Sequence, residues 1–405
     1  MSFTVPYKEV NNALNQMKAV VPAKNYLCLS TIGGKLTIAG IYGTWIARAV
    51  IDTDTDDEIL ASVSFADMRR ILDGFRDQNL TLSCDGNNVS INGLPVTTKY
   101  DIGNSLEFLD FLDNGELTPL GGFRIPREEL TTLVDNAAAF TDRAYDDLAL
   151  ASMTLKMLDN RTVEITSMNG HQFFYDRLQD VNLPGLKRGA VYMIGTPRIL
   201  LWWLKKLPKK ASVVEIRTNG SHIFFRSDRH VLRVSLVKSS AGTMEYPDYT
   251  PFIATFIDER EHEAKAVFWT SDLVTALKQL SPYVDESCRS VLLDFSTGTF
   301  AVHGASNGKE ISVPHVFSGS IDEYDGKSVN RIAFPLFELL NAVTRLDEER
   351  VSMEFTTTEG PMRLKTARRD MFIIVMPIKI LPTYTYTYEV ADEDGQCEHL
   401  HEAVA

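Results

Sequence analysis

The sequence predicts an α+β protein with mainly antiparallel sheet, built from six copies of one strand–helix–strand unit. Three observations predict this class. The segments at residues 3–10 and 123–130 resemble each other, and a third similar start lies at residue 267, which is typical of internal repeats. A short apolar run precedes each of six helical patterns. Each helix is then followed by short alternating runs separated by turns such as Asn219-Gly220, a strong hairpin signal. Because one helix and a few strands cannot bury their own apolar faces, paired units are expected to form helix-backed sheets.

The clearest copy covers residues 191–237. Its apolar run leads into Thr196, whose side chain is expected to cap the helix, and Pro197, which suits a first helical turn. The helix that follows is apolar on one side and ends in lysines, which the helix dipole favours. Trp202 and Trp203 are adjacent and cannot share one face, so one of them is predicted to lie in the core.

The other five copies repeat this order of apolar run and amphipathic helix. Their apolar residues recur at intervals of three and four, as expected of helices with one buried face. The stripes are Val10, Leu14 and Met17; Met68, Ile71, Leu72 and Phe75; Leu130, Leu133, Val134 and Ala137; Leu273, Val274, Leu277 and Leu280; and Leu336, Leu339, Leu340 and Val343.

The six copies pair into three predicted domains, which cover residues 1–120, 121–254 and 255–380. Residues 381–405 follow as an acidic tail. The tail is expected to be partly disordered, although Tyr384, Tyr386 and Tyr388 alternate as residues of a strand would.

The composition is that of a soluble globular protein, with 44% hydrophobic and 23% charged residues in 405. The four cysteines, at positions 28, 84, 288 and 397, have neither pairing nor metal-ligand spacing, which indicates a reducing, cytoplasmic compartment without disulfides. The start of the sequence is not a signal peptide, and no apolar run is long enough to span a bilayer. No membrane partner is therefore expected.

The net charge of −13 argues against a nucleic-acid partner only if the charges are spread evenly. Six acidic residues and no lysine or arginine lie in the last 25 residues, while the second and fourth helices are basic. For any single helix, a solvated charged face is the better interpretation. The alternative is that the helices line one surface that faces phosphates, where cations act without reading sequence.

Four separated segments resemble the bacterial sliding clamp, the beta subunit of DNA polymerase III. They are Phe3-Thr4-Val5, Asn169-Gly170-His171, Tyr246-Pro247-Asp248-Tyr249 and the terminal run Phe-Ile-Ile-Val-Met-Pro-Ile-Lys-Ile at 372–380. The resemblance covers residues 1–380, and it rests on the order and spacing of the four segments together.

This resemblance implies a ring-forming fold in which two chains join head to tail and their helices line a hole around duplex DNA. DNA would be held without sequence preference, in nucleoid-associated replication, with no catalytic activity, cofactor or metal. Tyr100 and Ile102 would lie at the dimer interface. The basic helices and the resemblance together give the predicted DNA-binding residues Lys24, Arg69, Arg70, Arg76, Arg198, Lys205, Lys206, Lys209 and Lys210.

The resemblance also implies a groove in which a DNA polymerase, a clamp loader and other replication and repair proteins dock short hydrophobic peptide motifs. Its predicted wall consists of Leu150, Gly170, His171, Phe173, Pro247, Phe252, Ile374, Val375, Met376 and Pro377. Gln172 departs from the family, which usually has arginine there, and Thr250-Pro251 replaces a segment containing arginine. Because the chain continues beyond Ile380, the tail is hypothesised to cover or extend the groove.

Two other functions stay open from the sequence. One is a clamp-like scaffold or decoy that binds clamp partners without encircling DNA. The other is an enzyme, which requires a converging cluster of carboxylates or histidines, and none occurs at a recognisable spacing. His171 has no accompanying nucleophile motif, and the acidic loop at 54–58 lacks the glycine and glutamate spacing of a calcium site.

Overall fold

The structure is a computed structural model. It describes residues 1–75, 79–85, 88–98, 121–142, 148–236, 249–251, 254, 264–282, 290–294, 300–307, 318–319, 323–326, 331–355, 360–366, 370–378, 384–391 and 397–402. Within these ranges the fold is α+β with mainly antiparallel strand pairs, as predicted.

Six helices of nine or more residues are found in the described ranges, and a strand ends directly before five of them and one residue before the sixth. The helices are α1 (Tyr7–Val20), α2 (Phe65–Asp73), α3 (Arg127–Ala139), α4 (Pro197–Lys206), α5 (Thr270–Leu280) and α6 (Leu336–Arg345). The strands before them are β1 (Ser2–Pro6), β5 (Ile59–Ser64), β9 (Gly121–Pro126), β13 (Val191–Gly195), β17 (Ala264–Trp269) and β22 (Arg331–Pro335). The six predicted copies of the strand–helix unit are therefore confirmed.

By its internal contacts the chain divides into two compact units. The first consists of Met1–Ala138, Ser152–Glu164 and Leu178–Met244, and the second of Ala139–Ala151, Ile165–Arg177 and Glu245–Ala405. The three-domain division at residues 120, 254 and 380 stays a prediction.

The first unit contains an eight-stranded sheet in the order β5-β2-β3-β4-β16-β15-β14-β9 and a four-stranded sheet in the order β1-β6-β7-β8. In addition, β13 pairs with β10. The further strands are β2 (Tyr26–Ile32), β3 (Lys35–Tyr42), β4 (Trp45–Asp52), β6 (Asn79–Asp85), β7 (Asn88–Ile91), β8 (Leu94–Val96), β10 (Ser152–Met157), β14 (Val213–Thr218), β15 (His222–Ser227) and β16 (His230–Ser235).

The pair β4–β16 joins the two halves of the eight-stranded sheet. It is antiparallel, with partners that run from Trp45 opposite Val234 to Ala49 opposite His230. A buried cluster of Cys28, Ala39, Ile46, Phe224 and Val231 lies across this joint. Burial raises the pKa of the Cys28 thiol to about 12, so this cysteine stays protonated at neutral pH.

The second unit contains the neighbouring strands β12-β25-β24-β23-β17-β21 and β22-β18-β19-β26-β27, with β20 also paired to β19. The chain passes from the first unit to the second within β11 (Val163–Met168). The other strands are β12 (Gln172–Leu178), β18 (Ser290–Asp294), β19 (Phe300–Asn307), β20 (Ser318–Gly319), β21 (Glu323–Gly326), β23 (Arg350–Phe355), β24 (Met362–Lys365), β25 (Phe372–Val375), β26 (Tyr384–Ala391) and β27 (Cys397–Glu402).

The predicted apolar stripes face the interior. Leu14 and Met17 of α1 are fully buried, and so are Leu277 of α5 and Leu339 of α6. Only Phe75, Val274 and Leu340 of the predicted stripe residues are half-buried. The α1 helix packs on α4 and on β3 and β4. Within the described residues, no helix is long and apolar enough to cross a membrane.

The prediction that the Thr196 side chain caps α4 is wrong. Thr196 has a left-handed backbone with φ of +53°, and its side chain makes no capping hydrogen bond. A capping side chain reaches the first turn from an extended backbone, which this conformation does not provide. Instead, the Thr196 carbonyl accepts the Ile199 N–H at 3.0 Å. The hairpin at Asn219-Gly220 is confirmed, with Gly220 at φ of +83°.

The described part of the tail agrees with the strand-like alternation of Tyr384, Tyr386 and Tyr388, and its partial disorder stays a prediction. Residues 384–391 and 397–402 form β26 and β27, and β26 continues the sheet of β22, β18 and β19. The alternating tyrosines and threonines of 384–388 favour a strand, and the edge of β19 supplies backbone partners.

The two adjacent tryptophans give a matched pair of stability predictions. Trp203 is fully buried and Trp202 is 54% exposed, which confirms that one of them lies in the core. We expect Trp203→Ala to lower the free energy of unfolding by about 3–5 kcal/mol, because it leaves a large cavity. Trp202→Ala is expected to change it by less than about 0.5 kcal/mol. Urea denaturation followed by circular dichroism measures both, and equal losses would contradict the assigned faces.

His230 predicts a loss of stability in acid. Burial lowers the pKa of its imidazole to about 4; nearby Asp228 opposes this shift, and Lys210 and Arg229 add to it. Between about pH 6.5 and pH 4 the unfolded chain therefore binds a proton that the folded chain does not, so stability falls as the pH is lowered through this range. Each pH unit is expected to cost up to about 1.4 kcal/mol relative to His230→Gln. The same acid dependence in both proteins, measured by urea denaturation, would contradict this.

Candidate nucleic-acid interface and peptide groove

Four helices of the first unit are neighbours in the order α2, α1, α4, α3. The α1 helix contacts both α2 and α4. Side chains of α4 then reach α3, because Arg198 donates to the Ala138 carbonyl at 3.2 Å and Lys205 lies 3.1 Å from the Asp135 carboxylate. Most of the predicted DNA-binding residues lie on this group of helices.

On α4 the residues outside the core form one stripe, because Arg198, Trp202, Lys205 and Lys206 are spaced by three, four and eight positions. The stripe is basic with one exposed tryptophan. The helix presents this side because its other side carries Leu200, Trp203 and Leu204, which are buried.

Three of the predicted cations near α4 contact neighbouring groups. Besides Arg198 and Lys205, Lys210 lies 3.1 Å from the Asp228 carboxylate. Lys206 and Lys209 are exposed and form no ion pair with any residue that the structure describes. These two lysines are therefore the cations of this segment most available to an external anion.

On α2, as on α4, the predicted DNA-binding residues contact neighbouring groups. Arg69 donates to the Asn15 side-chain oxygen at 2.8 Å and so connects α2 to α1. Arg70 pairs with Asp67 at 3.0 Å on the helix surface. The hydrogen bond from Thr97 is the main cause that lowers the pKa of the Asp67 carboxyl, and Arg70 adds to this effect. Asp67 is thus ionised at neutral pH and offsets part of the charge of Arg70.

Lys24 lies in the loop after α1, where it is exposed and has no ion pair within the described ranges. Arg76 lies outside the described residues. Among the described residues of the predicted set, Lys24, Lys206 and Lys209 are therefore the exposed cations without an ion pair. Such separated cations are suited to phosphates rather than to reading bases.

The second candidate site surrounds the turn between β11 and β12. Gly170 has φ of +84°, and the Asn169 side-chain oxygen accepts the N–H groups of His171 at 3.1 Å and Gln172 at 2.8 Å. Asparagine and glycine suit such a turn because the side chain replaces a backbone acceptor and glycine tolerates positive φ. The turn holds His171 exposed to solvent.

The strand after this turn pairs with β25. Phe173 lies opposite Ile374 and Gln172 opposite Val375, and the Met376 N–H donates to the His171 carbonyl at 2.8 Å. The turn at 169–171 and the segment after β25 are thus held together by backbone hydrogen bonds, although they are far apart in sequence.

The predicted wall residues divide into a buried and an accessible group. Phe173, Ile374 and Val375 are buried, and the first two form a cluster with Tyr175, Phe372 and Tyr249. The phenyl ring of Phe173 lies 5.6 Å from the Tyr249 ring. The accessible or half-buried wall residues are Leu150, Gly170, His171, Met376 and Pro377, while Pro247 and Phe252 lie outside the described residues.

Gln172 has a contact that sequence reasoning missed. Its side chain is buried and donates to the Glu338 carbonyl of α6 at 2.7 Å, while its oxygen accepts from Asn169 at 3.2 Å. Asn341, one turn further along α6, donates to the Ala139 carbonyl at 3.2 Å. A neutral amide can donate and accept at once, so glutamine suits this interior position where the family usually has arginine. No local pattern could reveal partners about 170 residues away.

The remaining sequence predictions concern the dimer contacts and the possible metal sites. The predicted dimer contacts Tyr100 and Ile102 lie outside the described residues. Among the described residues there is no group of three or more His, Cys, Asp or Glu side chains that could hold a metal ion. In the acidic loop, Asp54 accepts the Thr4 N–H at 3.1 Å.

Comparisons with known proteins agree with this architecture. No family model matches the sequence. The beta sliding clamp of Chlamydia pneumoniae is 21% identical over 391 residues, which cover 94% of this chain and 99% of that protein.

Solved structures match the same share of this chain. The DNA polymerase III beta subunit of Pseudomonas aeruginosa has a TM-score of 0.78 at 16% identity, and that of Thermotoga maritima has 0.74 at 15%. The beta clamp of Helicobacter pylori, solved with a DNA ligase peptide, has 0.73 at 14%. Each match covers 94% of this chain and 100% of the other.

This protein therefore has the fold of the DNA sliding clamps over nearly its whole length. Within that class it is similar to the bacterial beta clamp, the beta subunit of DNA polymerase III. The resemblance predicted from four short sequence segments is confirmed.

Proposed function

We propose that this protein is a DNA sliding clamp, a non-enzymatic processivity factor. Two chains join head to tail into a ring that encircles duplex DNA and tethers a replicative polymerase. The observation that carries this proposal is the match of the clamp fold over nearly the whole chain, with basic residues on the exposed side of its helices.

The charge arrangement supports the proposed contact with DNA. Lys206, Lys209 and Lys24 are exposed, and cations of this kind bind phosphates through release of counterions, whatever the base sequence. Contacts that do not read sequence allow a ring to slide. The acidic remainder of the chain repels DNA from surfaces that do not face it.

The ring requires the three domains at 1–120, 121–254 and 255–380, two copies of which supply the helices around the hole. Tyr100 and Ile102 are proposed to lie at the dimer interface. In sequence they follow β8, the end strand of the four-stranded sheet in the described part of the first unit.

Partners are proposed to dock at the turn 169–171 and the segment 374–377. The Helicobacter pylori clamp was solved with a DNA ligase peptide. Here His171 and Met376 lie exposed on either side of one backbone hydrogen bond, beside the buried Phe173 and Ile374. We infer that a polymerase, a clamp loader and repair proteins bind there through short hydrophobic motifs. No cofactor takes part, and the protein acts in the cytoplasm, at the nucleoid.

Retention on DNA tests the proposed function. The protein is loaded onto nicked circular DNA with a bacterial clamp loader and ATP, and half of each sample is then linearised. A ring is expected to stay on circles at high salt and to leave linear DNA by its ends. Equal loss from circular and linear DNA would contradict encirclement and favour the scaffold function.

The contribution of the basic helix is tested in the same assay and in direct DNA titrations. Lys206→Glu combined with Lys209→Glu is expected to lower DNA affinity and to reduce the slope of log K against log salt by about 2, since about 0.9 is lost per phosphate contact. The matched control is Lys35→Glu with Lys187→Glu, which changes net charge equally at two other exposed lysines. Equal effects of the two double variants would show that only net charge matters.

Peptide binding tests the groove. Met376 is 38% exposed beside His171, so Met376→Lys places a charge where an apolar motif is proposed to dock. The affinity for a labelled clamp-binding peptide, measured by fluorescence anisotropy, is expected to fall at least about tenfold, the equivalent of 1.4 kcal/mol. Leu60→Lys, at a residue 49% exposed on β5, is the control. Unchanged binding by the Met376 variant would place the groove elsewhere.

A further inference from the structure

An exposed tryptophan lies in the middle of the basic side of α4. Trp202 is 54% exposed, more than any other large apolar side chain that the structure describes except Met1. Residues three and four apart are neighbours on a helix surface, so Trp202 lies beside Arg198, Lys205 and Lys206. The indole therefore shares one surface with cations that are proposed to contact DNA.

Packing within the chain does not account for an indole at this position. The other side of α4 is filled by buried side chains that include Trp203 and Leu204. The helix is also held to α3 without Trp202, because Arg198 donates to the Ala138 carbonyl at 3.2 Å. A side chain outside the core adds little to the free energy of folding. The indole is therefore available to a molecule outside the chain.

The two exposed tryptophans differ in what lies over their rings. Trp269, at the end of β17, is 37% exposed, and the Arg350 guanidinium lies 4.6 Å from the centre of its ring. Among the residues that the structure describes, no cation and no second aromatic ring lies over Trp202. Trp202 therefore keeps a π face that can stack on another planar group.

The surroundings of Trp202 are positively charged although the chain is acidic. Residues 181–214 contain seven lysines and arginines and no aspartate or glutamate, whereas the whole chain has a net charge of −13. On the neighbouring α3, Asp135 lies 3.1 Å from Lys205 and offsets part of this charge. Lys206 is exposed and has no ion pair within the described ranges. The surface thus suits a polyanion that also carries planar groups, which is the chemistry of a nucleic acid.

Unpaired bases are the part of DNA on which such a ring can stack. In a duplex each base is already stacked between its neighbours, so cations contact the phosphates and carry no information about the bases. In a single strand the faces of the bases are open, and stacking one base on an aromatic side chain raises the affinity by about fivefold or more. An indole among lysines therefore favours single-stranded over double-stranded DNA.

We propose that Trp202 stacks on an unpaired base of single-stranded DNA while Lys206 contacts a phosphate of the same strand. The α4 helix then distinguishes a junction between duplex and single strand from continuous duplex. This inference rests on the proposed function, because it takes DNA to be the polyanion that reaches α4. A ring that slides on duplex DNA is thereby retained where unpaired bases begin.

Direct DNA titrations test the stacking contact. The full chain is titrated against labelled oligodeoxythymidine and against a labelled duplex of the same length, and binding is followed by fluorescence anisotropy. Trp202→Ala is expected to lower the affinity for the single strand at least about fivefold and to leave the affinity for the duplex unchanged. Because no phosphate contact is lost, the slope of log K against log salt is expected to stay that of the natural sequence, whereas Lys206→Glu reduces it.

Two further variants serve as controls. Trp202→Phe keeps an aromatic face and is expected to retain most of the affinity for the single strand. Trp269→Ala removes an exposed indole whose ring is covered by Arg350, and it is expected to bind both DNAs as the natural sequence does.

The outcomes distinguish this inference from the proposed function. The stacking contact is overturned if the natural sequence does not bind the single strand, if Trp202→Ala binds it equally well, or if Trp202→Ala loses the same affinity for both DNAs. Retention on circular DNA can still establish the clamp in each of these cases. If single strands bind through Trp202 but the protein leaves circular and linear DNA equally, encirclement is overturned and the stacking contact stands.

Discussion

Antiparallel pairing between end strands is the interaction on which the rest of this structure depends. A row of four strands with one helix leaves a line of unpaired backbone donors and acceptors at its last strand, which is unfavourable and prone to uncontrolled association. The joints β4–β16 and β12–β25 satisfy those groups. Each joint also assembles a small buried cluster, of Cys28, Ile46 and Phe224 in one case and of Phe173, Tyr249 and Ile374 in the other. The proposed peptide groove lies at the second joint, so the surface offered to partners results from the way the sheet is closed.

The helices explain how an acidic protein can offer a surface to DNA. Each helix buries an apolar stripe and leaves its remaining side to polar residues. The fold does not require those residues to be positively or negatively charged. On α4 that side is basic, yet Arg198 and Lys205 also hold α4 to α3. In the proposed contact with DNA, the electrostatic contribution then depends on a few cations such as Lys206 and Lys209, and a few separated contacts favour weak, mobile binding over a fixed position.

The sequence was sufficient for the parts of the fold that depend on local periodicity. The stripe of Val10, Leu14 and Met17 predicts α1 because its burial follows from helical spacing alone. Thr196 was misjudged because its identity suggests a cap while the backbone is held left-handed. The same limit applies to the candidate sites. Exposed lysines could be named from the sequence, but the contacts of Gln172 with α6, and the burial of Phe173 and Ile374, depend on packing between distant segments.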